Sequence, residues 1–185
     1  IGETGIRPGF IKLSADAGAL TEYQKKVVQA GALTHLATGL TVGIHSGDGA
    51  AAREELDILT AEGVGASAFI WIHAQNEKDT TVFKEIAGKG AWVEFDGLRP
   101  ESLEQHVAFL KFMKSNGFLS QTLVAQDAGW YNVGSPNGGD FRAYTTLFTD
   151  FLPRLRGEGF TEDEIDRLIR RNPSEAFAIR VRKAN

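Results

Sequence analysis

Five residues that could bind a metal ion or transfer a proton lie at similar places along the chain. Lys12, His45, His73, Asp96 and Asp127 each end or closely follow a short apolar run. Where such runs are parallel strands of an α/β fold, their carboxyl ends meet at one rim, and sites assemble there. Two imidazoles and a carboxylate are suitable ligands for a divalent cation such as zinc. The spacing therefore predicts a metal site at that rim.

Taken singly, each of these residues also has a structural interpretation. A lone His after a strand is more often a hydrogen-bonded core or rim residue than a ligand. A lone Lys or Asp at that position is usually solvated or caps the next helix. Together they would form a poorly compensated cluster unless a cation is bound. Lysine can join such a set only as a neutral amine that adds carbon dioxide to form a carbamate, and burial favours that amine.

The elements that must position these residues alternate along the chain. Short apolar runs typical of buried parallel strands are separated by amphipathic stretches that predict helices. The predicted strands are Phe10–Leu13, Leu40–Ile44, Ala68–Ile72, Ala91–Phe95 and Thr122–Ala125. The predicted helices are Thr21–Thr38, Ala50–Glu62, Lys78–Ala87, Glu101–Asn116, Asp140–Arg156, Thr161–Arg171 and Ser174–Arg182, with Pro173 between the last two. This order predicts a parallel α/β sheet in a single domain over residues 1–185, either part of a (β/α) barrel or an open flavodoxin-like sheet.

Composition narrows the class of protein. The chain has 185 residues, a formal net charge of −4 and no cysteine, so disulfides and thiolate metal sites are excluded. The mild acidity argues against nucleic acid as a partner. No stretch approaches the roughly 18 apolar residues needed to span a bilayer, so we expect no membrane partner. We expect a cytoplasmic protein, although an export signal could precede Ile1.

Several segments resemble successive strands of the phosphotriesterase-like family of the amidohydrolase superfamily. They are Gly5–Lys12, Thr38–His45, Trp71–His73, Val93–Gly97 and Gln126–Trp130, and together they extend over nearly the whole chain. The resemblance implies a (β/α)8 TIM barrel, of which this chain covers about strands 4–8 with their helices. It also implies a binuclear metal-dependent hydrolase with two divalent ions, expected to be zinc.

The resemblance assigns a role to each matching residue. Lys12 matches a carbamylated lysine that bridges the two ions, and His45 and His73 match the ligands of the more exposed ion. Asp127 matches the carboxylate that binds the buried ion and takes up a proton during catalysis. Metal-activated hydroxide would then attack a lactone, a carboxyl ester or a phosphotriester. The implied partner is therefore a small-molecule substrate.

Other positions depart from the family pattern or carry weaker predictions. The family has a His-x-His pair on its first strand, and this chain has none. Asn76 is a candidate residue of the substrate pocket, at a position where many relatives have Asp. Trp130 and Tyr131 are candidate walls of that pocket, with structural packing an equal alternative, and Asp96 could orient a ligand or contact substrate. The remaining histidines are predicted to pack or face solvent at His35 and to face solvent at His106.

Two functions of different classes fit these observations. The first is the hydrolase, active once the missing N-terminal strands are present. The second is a catalytically incomplete half-barrel that serves as a structural or interaction module. An open barrel segment would expose strand edges, so we expect completion by an N-terminal segment, or a homodimer. The start at Ile1 leads us to expect a chain cut from a longer one.

Overall fold

A five-stranded parallel sheet forms the centre of the protein in a computed structural model that describes residues 2–184. The strands pair in chain order, β1 to β5, as expected when each is followed by a helix that returns the chain to the same edge. Their bounds are β1 Ile11–Ala15, β2 Val42–Ser46, β3 Phe69–Ile72, β4 Trp92–Phe95 and β5 Thr122–Val124.

Helices cover one face of this sheet. They are α1 Glu22–Thr38, α2 Gly49–Ala61, α3 Thr80–Gly88, α4 Leu103–Ser115, α5 Leu152–Gly157, α6 Glu162–Asp166 and α7 Asn172–Ala176. The first begins at the predicted capping box, in which the Thr21 hydroxyl accepts from the Gln24 N–H and the Gln24 side chain accepts from the Thr21 N–H. No helix within residues 2–184 is long and apolar enough to cross a membrane.

Side chains alternate between the two faces of the sheet and form two apolar groups. One set of strand residues, including Ile44, Trp71 and Phe95, packs against the helices in the large core. The other set, Ile70, Ile72, Trp92 and Leu123, forms a smaller cluster on the opposite face, where Ala176 at the end of α7 packs against it. We call this second group the inner plug. On the same face of the sheet, closer to the carboxyl ends of the strands, lie residues that include His45 and Glu94.

The C-terminal third differs from the prediction. Residues 140–145 are irregular, and the predicted helix starts only with the π turn Leu147–Phe151 that leads into α5. The predicted break at Pro173 is wrong, because α6, the π turn Arg167–Arg171 and α7 are continuous. Pro173 lies just after the π turn, where the regular i→i−4 hydrogen bonds of the helix are already interrupted, so its missing N–H is tolerated. The predicted helix Ser174–Arg182 is also wrong, since α7 ends at Ala176.

The last residues instead form an extended strap, Phe177–Ala184, along the amino ends of the strands. Its backbone bonds to the turns that precede β2 and β3, with Arg180 N–H donating to Gly39 O and Gly65 N–H donating to Arg182 O. His35 is fully buried beneath the strap and does not face solvent. Its Nδ1 lies 2.8 Å from Leu40 O, and its Nε2 accepts from Arg182 N–H at 2.9 Å.

Candidate active site

A cavity of about 250 Å³ opens at the carboxyl ends of the strands. It brings together four residues predicted as metal ligands, although the first and last lie 115 positions apart in the chain. The lining residues are Lys12, His45, Ile72, His73, Glu94, Asp96, Ala125, Asp127 and Trp130. A larger cavity of about 510 Å³ lies near the amino ends of β3 and β4 and contains none of them.

Lys12 lies inside β1 and not at its end, because the strand continues to Ala15. It pairs with Gly43, one inward-facing position below His45, and its long side chain must therefore rise to reach the rim. Nζ donates to the Leu13 carbonyl at 2.8 Å. Burial lowers the pKa of the Lys12 amine, against the opposing effect of the Glu94 charge. Lowering the pKa favours the neutral amine that carbamate formation requires.

The two imidazoles meet on adjacent strands. His45 is the fourth residue of β2, and His73 follows β3 directly. Their ring centroids are 4.2 Å apart, with an interplanar angle of 79°. Burial, together with the neighbouring His73 and Lys12, lowers the pKa of His45 and favours the neutral ring that binds a metal. His73 has a left-handed backbone, φ 67°, that turns its side chain into the cavity.

Asp96 orients His73. Asp96 Oδ1 lies 2.6 Å from His73 Nδ1, and this hydrogen bond raises the pKa of the His73 ring. With Nδ1 bonded to a carboxylate, Nε2 is left to coordinate a cation, which is the usual arrangement of a carboxylate, a histidine and a metal. Gln75 holds Asp96 in turn, because its side-chain N–H donates to Oδ1 at 2.6 Å and its carbonyl accepts from Asp96 N–H at 3.0 Å.

Asp127 comes three residues after β5, farther from its strand than the sequence suggested. Its backbone is also left-handed, φ 42°, a conformation that L-residues adopt rarely and that Asp tolerates better than most. The Asp127 carbonyl accepts from Trp130 Nε1–H at 3.0 Å and from the Arg142 guanidinium. Single ligand atoms of His73, Asp96 and Asp127 all lie within 4.8 Å of one another, close enough for these groups to take part in one metal centre.

The predicted pocket residues divide into two groups. Asp96 and Trp130 line the cavity. Tyr131 is 70 % exposed and is not among the lining residues. Asn76 is exposed in the turn after His73, where its N–H donates to His73 O, and the neighbouring Gln75 makes the contact with Asp96.

His106 was predicted to face solvent, and that is wrong. It is buried, with Nε2 2.8 Å from Asp96 O and Nδ1 2.9 Å from Ser102 O. The side chain therefore fixes the backbone of Asp96 from behind. A signal was present in the sequence, since His106, Leu110 and Met113 share the i, i+4, i+7 spacing of the buried face of α4.

Two buried glutamates were not singled out from the sequence. Glu94 lines the cavity, and burial together with the Asp96 charge raises its pKa to about 8. Glu55 is on α2, behind β2, where burial raises its pKa to about 8 as well. Glu55 Oε2 lies 2.5 Å from the Ser46 hydroxyl, while its Oε1 has no partner among the described residues. The position of Glu94 inside a strand, two residues before Asp96, is the signal that could have identified it.

The donor set fits a divalent metal centre. It contains imidazole nitrogens and carboxylate oxygens, which suit zinc and similar ions, and His73 already has its carboxylate partner. Glu94 provides a further argument, because a carboxylate in a confined cavity needs a cation or a hydrogen-bond donor. A carbamate on Lys12 would add an anionic ligand at the same place.

The chain is similar in sequence and fold to several known proteins. The phosphotriesterase homology protein of Escherichia coli is 29% identical over 178 residues, which cover 94% of this chain and 60% of that protein. Its crystal structure with phosphate in the active site matches with a TM-score of 0.84, over 96% of this chain and 62% of that one. N-acetyltaurine hydrolase of Danio rerio is 28% identical, over 92% of this chain and 52% of that protein.

A lactonase from Listeria monocytogenes, Lmo2620, shares the fold with a TM-score of 0.84 at 24% identity, over 96% of this chain and 56% of that one. The chain thus spans about half to three-fifths of the length of the proteins it matches, and its strands correspond to part of a TIM-barrel fold. A sequence profile of the phosphotriesterase family matches residues 1–177. The chain belongs to the phosphotriesterase family.

Proposed function

We propose that this chain is the metal-binding part of a binuclear metal-dependent hydrolase that cleaves a lactone, a carboxyl ester or a phosphotriester. The observation that carries the proposal is the convergence of Lys12, His45, His73 and Asp127 on one cavity. Membership of a family with hydrolase relatives supports it. Two divalent ions bound there would lower the pKa of a water molecule and polarise the scissile bond.

In this proposal, some residues bind the ions and one residue transfers a proton. Lys12, as its carbamate, and Asp127 would hold the buried ion, and His45 and His73 would hold the exposed one. Asp96 fixes the ring of His73 so that Nε2 faces the cavity. Asp127 lies at the open rim, where its carboxylate can accept a proton from the attacking water and pass it to solvent. Trp130 beside it supplies an apolar wall for the substrate.

The decisive experiment is a substrate panel on the full-length protein, metal-depleted and reconstituted with zinc. The panel contains lactones, carboxyl esters, phosphotriesters and, because one relative is named for an N-acetyl substrate, N-acyl amides. We expect turnover only after reconstitution and a large fall in kcat for Asp127→Asn. Asp150→Asn, an exposed carboxylate on the π turn before α5, is the control and should leave turnover unchanged. Metal-free protein with full activity contradicts the proposal.

The structural-module alternative predicts a different result in the same experiment. A half-barrel without catalytic function would give no turnover on any class of substrate and would bind no ions after supplementation. Its supporting feature is the missing His-x-His pair. Either stoichiometric metal binding or turnover would exclude it.

A further inference from the structure

Glu94 lines the cavity without a partner. Within residues 2–184 its side chain makes no hydrogen bond and no ion pair, although every other carboxylate lining the cavity is either near the rim or bonded to His73. Burial penalises a charged carboxylate unless a cation or a donor faces it. The described side chains supply no such partner to Glu94, so an ion that enters the cavity can fill that role.

The position of Glu94 limits what that group can be. It precedes Asp96 by two residues on β4, so it faces the same way but lies about 6–7 Å farther from the rim along the strand. Ile72 and Ala125 lie at its sides in the cavity, and the inner plug closes the floor beneath it. A substrate entering from the mouth meets Trp130 and the two imidazoles first. Glu94 thus lies deeper in the cavity, on the side from which it could contact an ion bound there.

Lys12 does not neutralise Glu94 in this geometry. It is the one lysine or arginine among the lining residues, yet its Nζ donates to the Leu13 carbonyl and forms no ion pair with any carboxylate of residues 2–184. Conversion of Lys12 to a carbamate would remove its positive charge altogether. The cavity would then hold carboxylates and a carbamate, a set of anionic groups that bound cations would balance.

We propose that Glu94 is an additional metal ligand in this protein, which reaches the more buried ion from the floor of the cavity. The inference rests on the proposed function, because it requires the metal centre to form. Carboxylate oxygen is a suitable ligand for zinc and for harder divalent ions. Glu94 would supply a third anionic ligand to an ion for which this chain otherwise offers Lys12 and Asp127.

The test measures metal binding by itself, without turnover. Full-length wild type, Glu94→Gln and Glu94→Asp are depleted of metal and titrated with zinc against a chromophoric chelator, and ions per chain are counted by mass spectrometry. The cobalt forms are compared by visible absorption, which responds to the ligands around the ion. Glu55→Gln is the matched control, because it removes a buried carboxylate on the other face of the sheet, outside the cavity.

We expect Glu94→Gln to weaken the binding of one of two ions by about tenfold or more and to alter the cobalt spectrum. Glu55→Gln should match the wild type. Glu94→Asp, which keeps the charge on a shorter side chain, should give an intermediate loss and replaces Glu94→Gln if that variant does not fold. Unchanged affinities and spectrum in Glu94→Gln would overturn the inference, even if KM changed, and would leave the proposed function standing. A wild type that binds no metal would overturn both.

Discussion

Lys12 combines two properties that a carbamate-forming lysine needs. Its pKa is lowered by burial, so the neutral amine is more accessible than on a free lysine. It also lies one inward-facing position below His45, on the strand next to it, and its side chain lines the cavity. These properties belong to the residue and its strand, and they make Lys12 the most informative single position to change.

Replacing Lys12 by Ala should abolish hydrolysis and metal bridging, because the carbamate would be the one ligand shared by the two ions. Short carboxylates such as acetate or propionate should restore part of both, since they can occupy the vacated space. Steady-state kinetics with and without added carboxylate provides the measurement. Lys25→Ala, on the surface of α1, is the control and should behave as wild type. Normal activity in Lys12→Ala would exclude the bridging role.

The raised pKa of Glu55 predicts that the stability of the fold depends on pH, separately from the metal centre. Its folded-state pKa of about 8 lies above the ordinary value of 4.5, so the folded protein binds more protons than the unfolded chain between these values. Stability must therefore fall as pH rises through that window. The protonated side chain can donate to the Ser46 hydroxyl, which donates to Ile44 O.

Glu55→Gln removes this titration. In metal-depleted protein, we expect the free energy of unfolding of the variant, relative to wild type, to increase from pH 5 to about pH 8 and then to level off. Urea denaturation across this range measures the effect. A difference between the two proteins that does not change with pH would show that Glu55 titrates normally in the folded state.

At the scale of elements, the sequence predicted the five strands and the first four helices closely. Their signals were local, since apolar runs such as Phe69–Ile72 and the capping box at Thr21 lie within a few residues of one another. It also predicted the shared rim of the strands. The continuous helix through Pro173 and the extended strap could not be predicted in this way, because both depend on contacts with residues more than 100 positions away, such as Arg182 with His35.

For the candidate site, the sequence predicted that Lys12, His45, His73 and Asp127 would meet at one rim, and all four line one cavity. The resemblance identified Lys12, His45, His73 and Asp127 by their order in the chain. The roles of Gln75, Glu94 and His106 depend on which side chains meet across strands. The left-handed backbone at His73 and Asp127 is likewise set by the loops around the cavity, and it cannot be predicted from the residue type alone.

Asp48 connects the first two loops at the rim. Its carboxylate caps α2 by accepting from Ala51 N–H at 2.9 Å and also accepts from Gly18 N–H at 3.0 Å in the loop after β1. Asp48→Ala should cost about 1 kcal/mol for the cap and a further loss for the loop contact. Asp79→Ala is the matched control, because Asp79 caps α3 but bonds only to Thr81 beside it. Equal losses of unfolding free energy in urea would show that the contact with Gly18 adds nothing.

At the scale of the whole molecule, the strap and the cavity lie at opposite ends of the strands. Arg182 is buried and holds the strap, with its guanidinium donating to Thr41 Oγ1 at 3.0 Å and to Ala178 O at 3.0 Å. This separation follows the usual division of a barrel into a catalytic face and a stability face.

Arg182→Ala should therefore lower the unfolding free energy by about 2–3 kcal/mol, because it leaves buried acceptors without a charged donor. Zinc affinity should not change. Arg180→Ala, which removes an exposed arginine of the same strap that pairs with Glu175 of α7, is the control and should have little effect on either quantity. Denaturation and zinc titration on the same samples distinguish the two effects, and weakened zinc binding in Arg182→Ala would contradict the separation.

The most direct measurement is a crystal structure of the full-length protein with zinc, in which anomalous scattering locates the ions. The account predicts two anomalous peaks in the cavity, with extra density for a carbamate on Lys12 between them. His45 and His73 should contact one ion, and Asp127 should contact the other. Peaks outside this cavity, or an unmodified Lys12 in a zinc-loaded crystal, would contradict it.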